Sequence, residues 1–296
     1  MTDYALISYA YDKTVRIYAA HTTTLVEEAR MLHHTWPTAT AALGRVLTVS
    51  AMMGLMHKQG ERITVRIKGD GPIGSMTVEA DGSGDVRGEI FNPEVYIKYN
   101  TGPHAGKLNV GAAVGQGFLF VTKDLNMREY FTSSAELQSG EIGDDFTYYF
   151  TLSDQVPSSV GVGVLVDTGQ HVLAAGGYIL QLMPNCPEHT INDIENIIKQ
   201  IPPISSLIQD GKTPEDITHM LANGTEDILD KKPLAYTCNC SKDRFARSLA
   251  SLDDKTLDAL ILEDGHAEIE CHFCHKKYHY DKTELTEIKR RRTSSN

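Results

Sequence analysis

Residues 62–81 read RITVRIKGDGPIGSMTVEAD, and the way this stretch divides decides the fold class. Ile63, Val65 and Ile67 alternate with polar residues, as do Met76, Val78 and Ala80, which is the period of a half-buried strand. Between the two runs, Gly69-Asp70-Gly71-Pro72-Ile73-Gly74 satisfies the G-x-G-x-x-G spacing of a dinucleotide-binding loop. Such a loop must lead from a strand into a helix. Here it joins one strand pattern to another and carries Pro72 at its centre, so it reads as a turn. Gly82, Gly84 and Gly88 mark a second hairpin and a bulge.

Working outward, Ala5–Ala10, Val15–Ala20, Val95–Tyr99, Phe118–Val121, Tyr148–Thr151, Val162–Val166 and Tyr178–Leu182 carry strand composition. Leu25–Thr35 reads as a helix with Thr24 and Glu27 as a capping box and Pro37 as its stop. A second helix follows from about Thr38. The stretch Thr38–Met56 is interrupted by Gly44, Arg45 and Gly54 and falls short of a membrane span, so it reads as a buried helix. Strands dominate without alternating strictly with helices, which predicts an α+β layer fold: a mixed sheet domain over residues 1–183 layered with helices.

The composition changes at Pro184. Pro184, Pro187, Pro202 and Pro203 punctuate short amphipathic helices such as Ile191–Ile201, and Thr213-Pro214 with Asp216 forms another helix start. Residues 184–236 therefore read as a helical linker. Its apolar positions (Ile194, Ile197, Ile198, Ile201, Ile204, Leu207, Ile208) need the first domain as a partner surface. Residues 237–296 form a last unit, read as Cys pair, two helices, strand, Cys pair, strand and final helix. A unit this small has no more than about 3–5 kcal/mol of core stability without a staple.

The net charge of -11 argues against general affinity for nucleic acid or anionic membranes. The dense basic run, Lys289–Arg292, reads as a solvated tail. Met1–Ala10 has no basic start followed by an apolar block, so a cytoplasmic, reducing environment is expected. In that environment the five cysteines are better explained by metal or redox chemistry than by permanent disulfides. Cys186 stands alone and reads as a buried or free thiol. Cys238-Asn239-Cys240 and Cys271-His272-Phe273-Cys274 are two tight pairs separated by residues 241–270. Four thiols so spaced match a closed tetrahedral Zn²⁺ site. His272, His275 and His279 lie close enough in sequence to replace a cysteine, but four sulfurs complete the shell without them. No open position for a catalytic water is implied, so the zinc is structural.

Cysteines two or three residues apart can reach the Cα separation of roughly 4.4–6.8 Å that a disulfide needs, so each pair can close locally. Structural zinc is worth on the order of 10–16 kcal/mol, more than the small core can replace. Oxidation is therefore expected to eject zinc and unfold the last domain, reversibly with thiol reductants. No Ser-His-Asp, paired-carboxylate or Walker pattern stands out, so no catalytic residues are expected and the chain does not read as an enzyme.

With these residues in place, the whole chain resembles the bacterial 33-kilodalton heat-shock protein family of redox-regulated holdase chaperones. The C-x-C and C-x-x-C pairs carry the resemblance most specifically. Val121–Leu125, Ser139–Ile142, Tyr148–Phe150 and Ala174–Gly177 running into Leu180–Pro184 support it. Asp154, where the family commonly has glutamate, and Cys186, outside the family's cysteine set, depart from it. The resemblance implies that Cys238, Cys240, Cys271 and Cys274 hold one zinc in the reduced, inactive state. It implies disulfides Cys238–Cys240 and Cys271–Cys274 after oxidation, with zinc release, a loosened linker, homodimers in place of monomers, and unfolding client proteins held without ATP. Two other classes compete: a zinc-ribbon module that binds nucleic acid or a protein partner through the basic tail, and a thiol-disulfide oxidoreductase. The first is opposed by the acidic balance, the second by the absence of a thioredoxin-like βαβ pattern around the C-x-x-C.

Overall fold

The computed structural model describes residues 2–293, which fall into two compact units, Met1–Thr237 and Cys238–Asn296. The first is a mixed α+β unit. In chain order it contains β1 (Tyr4–Ala10), β2 (Val15–His21), α1 (Thr23–His33), α2 (Pro37–Gly54), β3 (Arg62–Gly69), β4 (Ser75–Asp81), β5 (Asp85–Ile90) and α3 (Val110–Val114). There follow β6 (Gly117–Asp124), β7 (Phe131–Glu136), α4 (Gly143–Leu152), β8 (Ser158–Val166) and β9 (Val172–Leu182). The unit closes with α5 (Glu188–Gln200), α6 (Ile204–Gln209), α7 (Pro214–Ala222), β10 (Asp227–Pro233) and β11 (Ala235–Tyr236). One sheet runs β10-β1-β2-β9-β8 and the other β11-β5-β4-β3-β6-β7. All neighbours are antiparallel except β11 and β5.

The apolar stretch after Pro37 is the centre of this architecture. In α2 every residue from Thr38 to Gly54 is buried except Arg45, because the helix packs on β8 and β9 of one sheet and on β3, β4 and β5 of the other. A helix covered on all sides is apolar all round, which is why its sequence resembled a span. Gly88 does not form a bulge, since the β4–β5 ladder keeps one register. A Cβ there would lie 2.9–3.3 Å from Val78, Leu47 and Leu43, so the glycine admits α2 to the sheet. The bulges fall instead at Ile7/Ser8 and Leu165/Val166. The turn at Gly69–Gly74 docks on the end of α3, where Gly71 N–H donates to the Val114 carbonyl and Ile73 N–H to that of Ala113.

Four local expectations are corrected. Tyr148–Thr151 lies in α4, not in a strand. Val95–Tyr99 is irregular apart from the single bridge Lys98–Leu108. Thr24 and Glu27 do not form a capping box at α1. The Asp3 carboxylate accepts from the amides of Thr24 and Leu25 (3.3 and 2.6 Å), while Glu27 turns to Arg30 and the Val172 amide. Nor does Pro37 end this helix: His34 does, at φ 51°, and Pro37 opens α2.

Residues 184–236 pack on the outer face of the first sheet. Ile194, Ile204, Leu207, Ile208, Ile217 and Leu221 are buried against Val15, Ile17, Ala19, Ala174 and Leu180. Cys186, half-buried, joins the edge of this cluster. Gly176 leaves room for the Ile208 side chain, whose Cδ1 would lie 2.3 Å from a Cβ at that position. The segment is not helical throughout. Its last residues form β10 on the edge beside β1, and β11 beside β5. β10 is exposed along nearly its whole length and carries Asp227, Asp230, Lys231, Lys232 and Pro233, the charges and proline that suit an edge strand. Such a strand lacks the apolar alternation by which inner strands announce themselves.

The start of α7 follows expectation. Thr213 Oγ1 accepts from the Asp216 amide (3.2 Å), and the Asp216 carboxylate accepts from the Thr213 amide (2.8 Å). Thr213→Ala should cost about 1 kcal/mol of local stability. Amide hydrogen exchange in α7 should then speed up about fivefold, and unchanged exchange would show that packing alone holds this helix.

The second unit contains α8 (Lys242–Ala250), α9 (Asp254–Ala259), β12 (His266–Glu270), β13 (Lys277–Asp281) and α10 (Lys282–Thr293). Strands β12 and β13 form a two-stranded antiparallel hairpin. The buried apolar residues are few: Leu249, Leu257, Ile261, Ala267, Tyr278, Tyr280 and Leu285.

Candidate metal centre

Each cysteine pair is placed by local structure. Cys238 and Cys240 lie on the extended segment before α8, whose first turn is capped by Ser241 accepting from the Arg244 amide (3.2 Å). Cys271 and Cys274 lie in the turn that joins β12 to β13, directly after the Glu270–Lys277 pair. That turn is closed by Cys271 N–H donating to the Lys276 carbonyl (3.0 Å) and His275 N–H donating to the Cys271 carbonyl (2.8 Å). His275 takes φ 56° to complete it.

The two segments bring all four sulfurs within 4.8 Å of one another. The Cys238–Cys271 and Cys240–Cys274 sulfurs are 3.6 and 3.4 Å apart. Sulfurs at about 2.3 Å from a tetrahedral metal would be about 3.8 Å from each other, so the cluster has the dimensions of a four-thiolate centre. The surroundings suit negative sulfur. The amides of Phe273 and Cys274 point at the Cys271 sulfur, and the amide of Lys276 at that of Cys274. The Tyr278 hydroxyl lies 3.2 Å from the Cys240 sulfur and 3.0 Å from the Cys240 carbonyl oxygen. Burial raises the Cys240 thiol, but the Tyr278 hydroxyl and the neighbouring sulfurs outweigh it and bring the pKa down to about 7. Burial pushes the Cys271 and Cys274 thiols up. Four neutral thiols packed this closely would leave these donors poorly used, whereas a metal holds all four as thiolates.

Cys238, Cys240, Cys271 and Cys274 are thus brought together as a group that could hold a metal ion. The histidines are not drawn in. His275 Nδ1 pairs with Glu270 (2.6 Å) and His279 Nδ1 with Glu268 (3.2 Å), and His272 is exposed. Tyr278 is the functional neighbour that spacing did not identify. Its signal was the alternation of β13, which turns Tyr278 and Tyr280 inward together. The basic run is engaged as far as its side chains are described. Lys289 pairs with Asp258, and Arg290 and Arg291 with Glu287. Among the described residues no helix is long and apolar enough to cross a membrane.

Comparisons with known proteins agree along the whole chain. The family model described as Hsp33 protein matches residues 3–281. The 33 kDa chaperonin of Acholeplasma laidlawii is 52% identical over 288 residues, spanning 97% of this chain and 99% of its own. That of Bacillus velezensis is 50% identical over 288 residues, spanning 97% and 98%. The crystal structure of the 33 kDa chaperonin (heat shock protein 33 homolog) from Thermotoga maritima superposes with a TM-score of 0.89 at 32% identity, covering 99% of each chain.

Proposed function

The chain belongs to the Hsp33 protein family, and from that premise we propose that it is an ATP-independent holdase chaperone switched by the oxidation state of its four clustered cysteines. The observation that carries the reading is the set of four sulfurs within 4.8 Å in a compact unit of its own, whose core is too small to hold it folded unaided. The sulfurs of Cys238, Cys240, Cys271 and Cys274 would be the ligands. Bound zinc would supply a closed tetrahedral link between the two cysteine-bearing segments and keep the four sulfurs as thiolates.

Oxidation removes that donor set. One thiolate of a pair attacks peroxide, takes one oxygen as a sulfenic acid and releases hydroxide. Its neighbour attacks the same sulfur and displaces the oxygen as a second hydroxide. Two sulfurs lose two electrons, and one peroxide is reduced. The pairs proposed are Cys238–Cys240 and Cys271–Cys274, which close short local loops and so restore little of the lost stability. Disorder then spreads back from Cys238 through the two-residue β11 into the linker, residues 184–236. Release of that segment exposes the apolar positions of the first sheet and of the linker itself, the surface a client would occupy. On this reading the reduced protein is a monomer in a reducing cytoplasm, and the active form is a homodimer that holds unfolding proteins. The relatives' name, chaperonin, describes a binding role and not a catalytic one.

The test is light scattering from a chemically unfolded client diluted into the protein, reduced and zinc-loaded or after peroxide at mildly raised temperature. Aggregation should be suppressed only after oxidation, and reductant should reverse this. Suppression in both states would remove the redox control, and suppression in neither would sink the chaperone reading. Peptide mapping of the oxidised protein should find the two local disulfides. Sulfurs also approach closely between the pairs, at 3.6 and 3.4 Å, so recovery of Cys238–Cys271 or Cys240–Cys274 instead would overturn the proposed pairing.

A further inference from the structure

A cleft of about 700 Å³ in the first unit runs along the outer edge of β8, with Gly161–Thr168 forming one side of it. β8 ends its sheet and pairs only with β9. Both faces of the strand are covered. Val160, Val162 and Val164 pack into the core around α2, Gly161 meets the Tyr178 ring, and Gly163 meets Ser205 at the start of α6. What remains open is the edge. The Val160 amide donates outward to Thr147 Oγ1 (3.0 Å), so in an antiparallel ladder Val162 and Val164 also turn their N–H and C=O groups away from β9. Among the described residues no bond from Val162 or Val164 to a partner beyond that edge is formed.

The walls differ in character. One is the segment 96–108, tied to α2 where Thr38 Oγ1 bonds the Ile97 backbone (2.9 Å). It brings Lys98, Lys107, Tyr96 and Tyr99 to the cleft. Lys98 and Lys107 form no ion pair among the described residues, although the chain carries a net charge of -11. The Lys98 ammonium rests 5.0 Å from the Tyr96 ring centre. The other wall is Ile201, Pro202 and Pro203, neutral and apolar. Of the two carboxylates that also line the cleft, Glu141 is held by Arg45 and Tyr99, and Asp167 accepts from the His171 amide.

The geometry points to this cleft as a binding site for an extended, acidic polypeptide segment that adds to the β8 edge as a sixth strand. The backbone of the segment would take the amide and carbonyl groups of Val162 and Val164. Because side chains alternate along a strand, carboxylates at every second position would face Lys98 and Lys107, and apolar residues between them would face Ile201 and Pro203. Lipid and nucleic acid offer no ladder of alternating amide donors and acceptors to satisfy this edge. The site rests on the proposed reading only in that the chain binds polypeptide, and it requires no thiol oxidation.

Fluorescence anisotropy of a labelled Glu-Val-Glu-Val-Glu-Val-Glu peptide with the reduced, full-length protein tests it. Binding is expected, weakening with added salt. It should fall at least tenfold for the Lys98→Glu/Lys107→Glu protein, for the lysine counterpart of the peptide, and for the same peptide N-methylated at alternate residues. No binding, or equal binding of the N-methylated or lysine peptide, would overturn the site. Client-aggregation suppression after oxidation, measured on the same preparations, separates the two readings. If suppression persists while peptide binding is absent, only the cleft fails; if both are absent, the chaperone reading fails with it.

Discussion

Replacing Cys271 and Cys274 together by serine is expected to leave residues 238–293 unfolded while Met1–Thr237 keeps its structure. Cys271 is the most buried of the four sulfur-bearing residues, at 4% exposure, and its sulfur takes the amides of Phe273 and Cys274. The pair holds the β12–β13 turn to the segment before α8, so its loss removes half the donors at one stroke. A four-thiolate metal centre contributes on the order of 10–16 kcal/mol to folding. The remaining core rests on a few residues, among them Leu249, Leu257, Ile261 and Leu285, and a core of this size supplies no more than about 3–5 kcal/mol of stability. Bound metal, zinc on the proposed reading, should fall from one ion per chain to none. Amides in α8, β12 and β13 should lose exchange protection, while those in β2, β9 and α2 keep theirs. Retained protection in β12 and β13 without bound metal would show that the hairpin stands on its own core and that the sulfur cluster is not its staple. If the unfolded end also frees the linker, the serine variant should suppress client aggregation without oxidant.

What the sequence disclosed and what it withheld follow from how local each determinant is. The sulfur cluster was legible because each pair is contiguous and a hairpin needs only neighbours to bring Cys271 to Cys274. Strands β3, β4 and β6 were legible because each buries one face and alternates accordingly, and β2, β8 and β9 because their apolar and β-branched composition suits strands covered on both faces. β10 was not, since it is exposed on both faces and exists only because β1 offers an edge. Val95–Tyr99 has strand composition but no neighbouring strand beyond one bridge, so Val95 and Ile97 pack into the core beside α2 while Tyr96 stays exposed. Tyr148–Thr151 misled for a related reason. Aromatic residues favour strands when nothing else decides, but Phe146, Tyr149 and Phe150 are buried at helical spacing in α4. The helix is decided at its beginning, by a residue whose role spacing does not reveal.

That residue is Asp145, and Asp145→Ala is expected to be among the most damaging single changes in the first unit. The side chain is fully buried. One oxygen accepts from the amides of Gln138, Ser139 and Gly140 (2.7, 3.0 and 3.2 Å), and the other accepts from the amide of Ile142 (2.8 Å). Four backbone donors converge on one carboxylate and fold the loop 138–142 over the first turn of α4. The bonds also hold Ile142 at φ 75°, a conformation that a β-branched residue adopts only when its surroundings impose it. Alanine would leave those donors buried without an acceptor, at about 1–3 kcal/mol each if the loop stayed put. Relaxation of the loop towards water recovers part of that, so a net loss of about 3–5 kcal/mol is expected. Asp145→Asn keeps the shape and one acceptor oxygen, but turns an NH₂ group toward amide donors, so it should also destabilise, by less than alanine. Urea unfolding of the first unit provides the measurement, with the burial of Tyr149 and Phe150 followed by near-ultraviolet circular dichroism. A loss below about 1 kcal/mol for Asp145→Ala would mean that the aromatic packing of α4, and not the carboxylate, fixes the loop. The same loop supplies Glu141 to Arg45 of α2, so its collapse should reach the central helix and lower the cooperativity of unfolding as well as its midpoint.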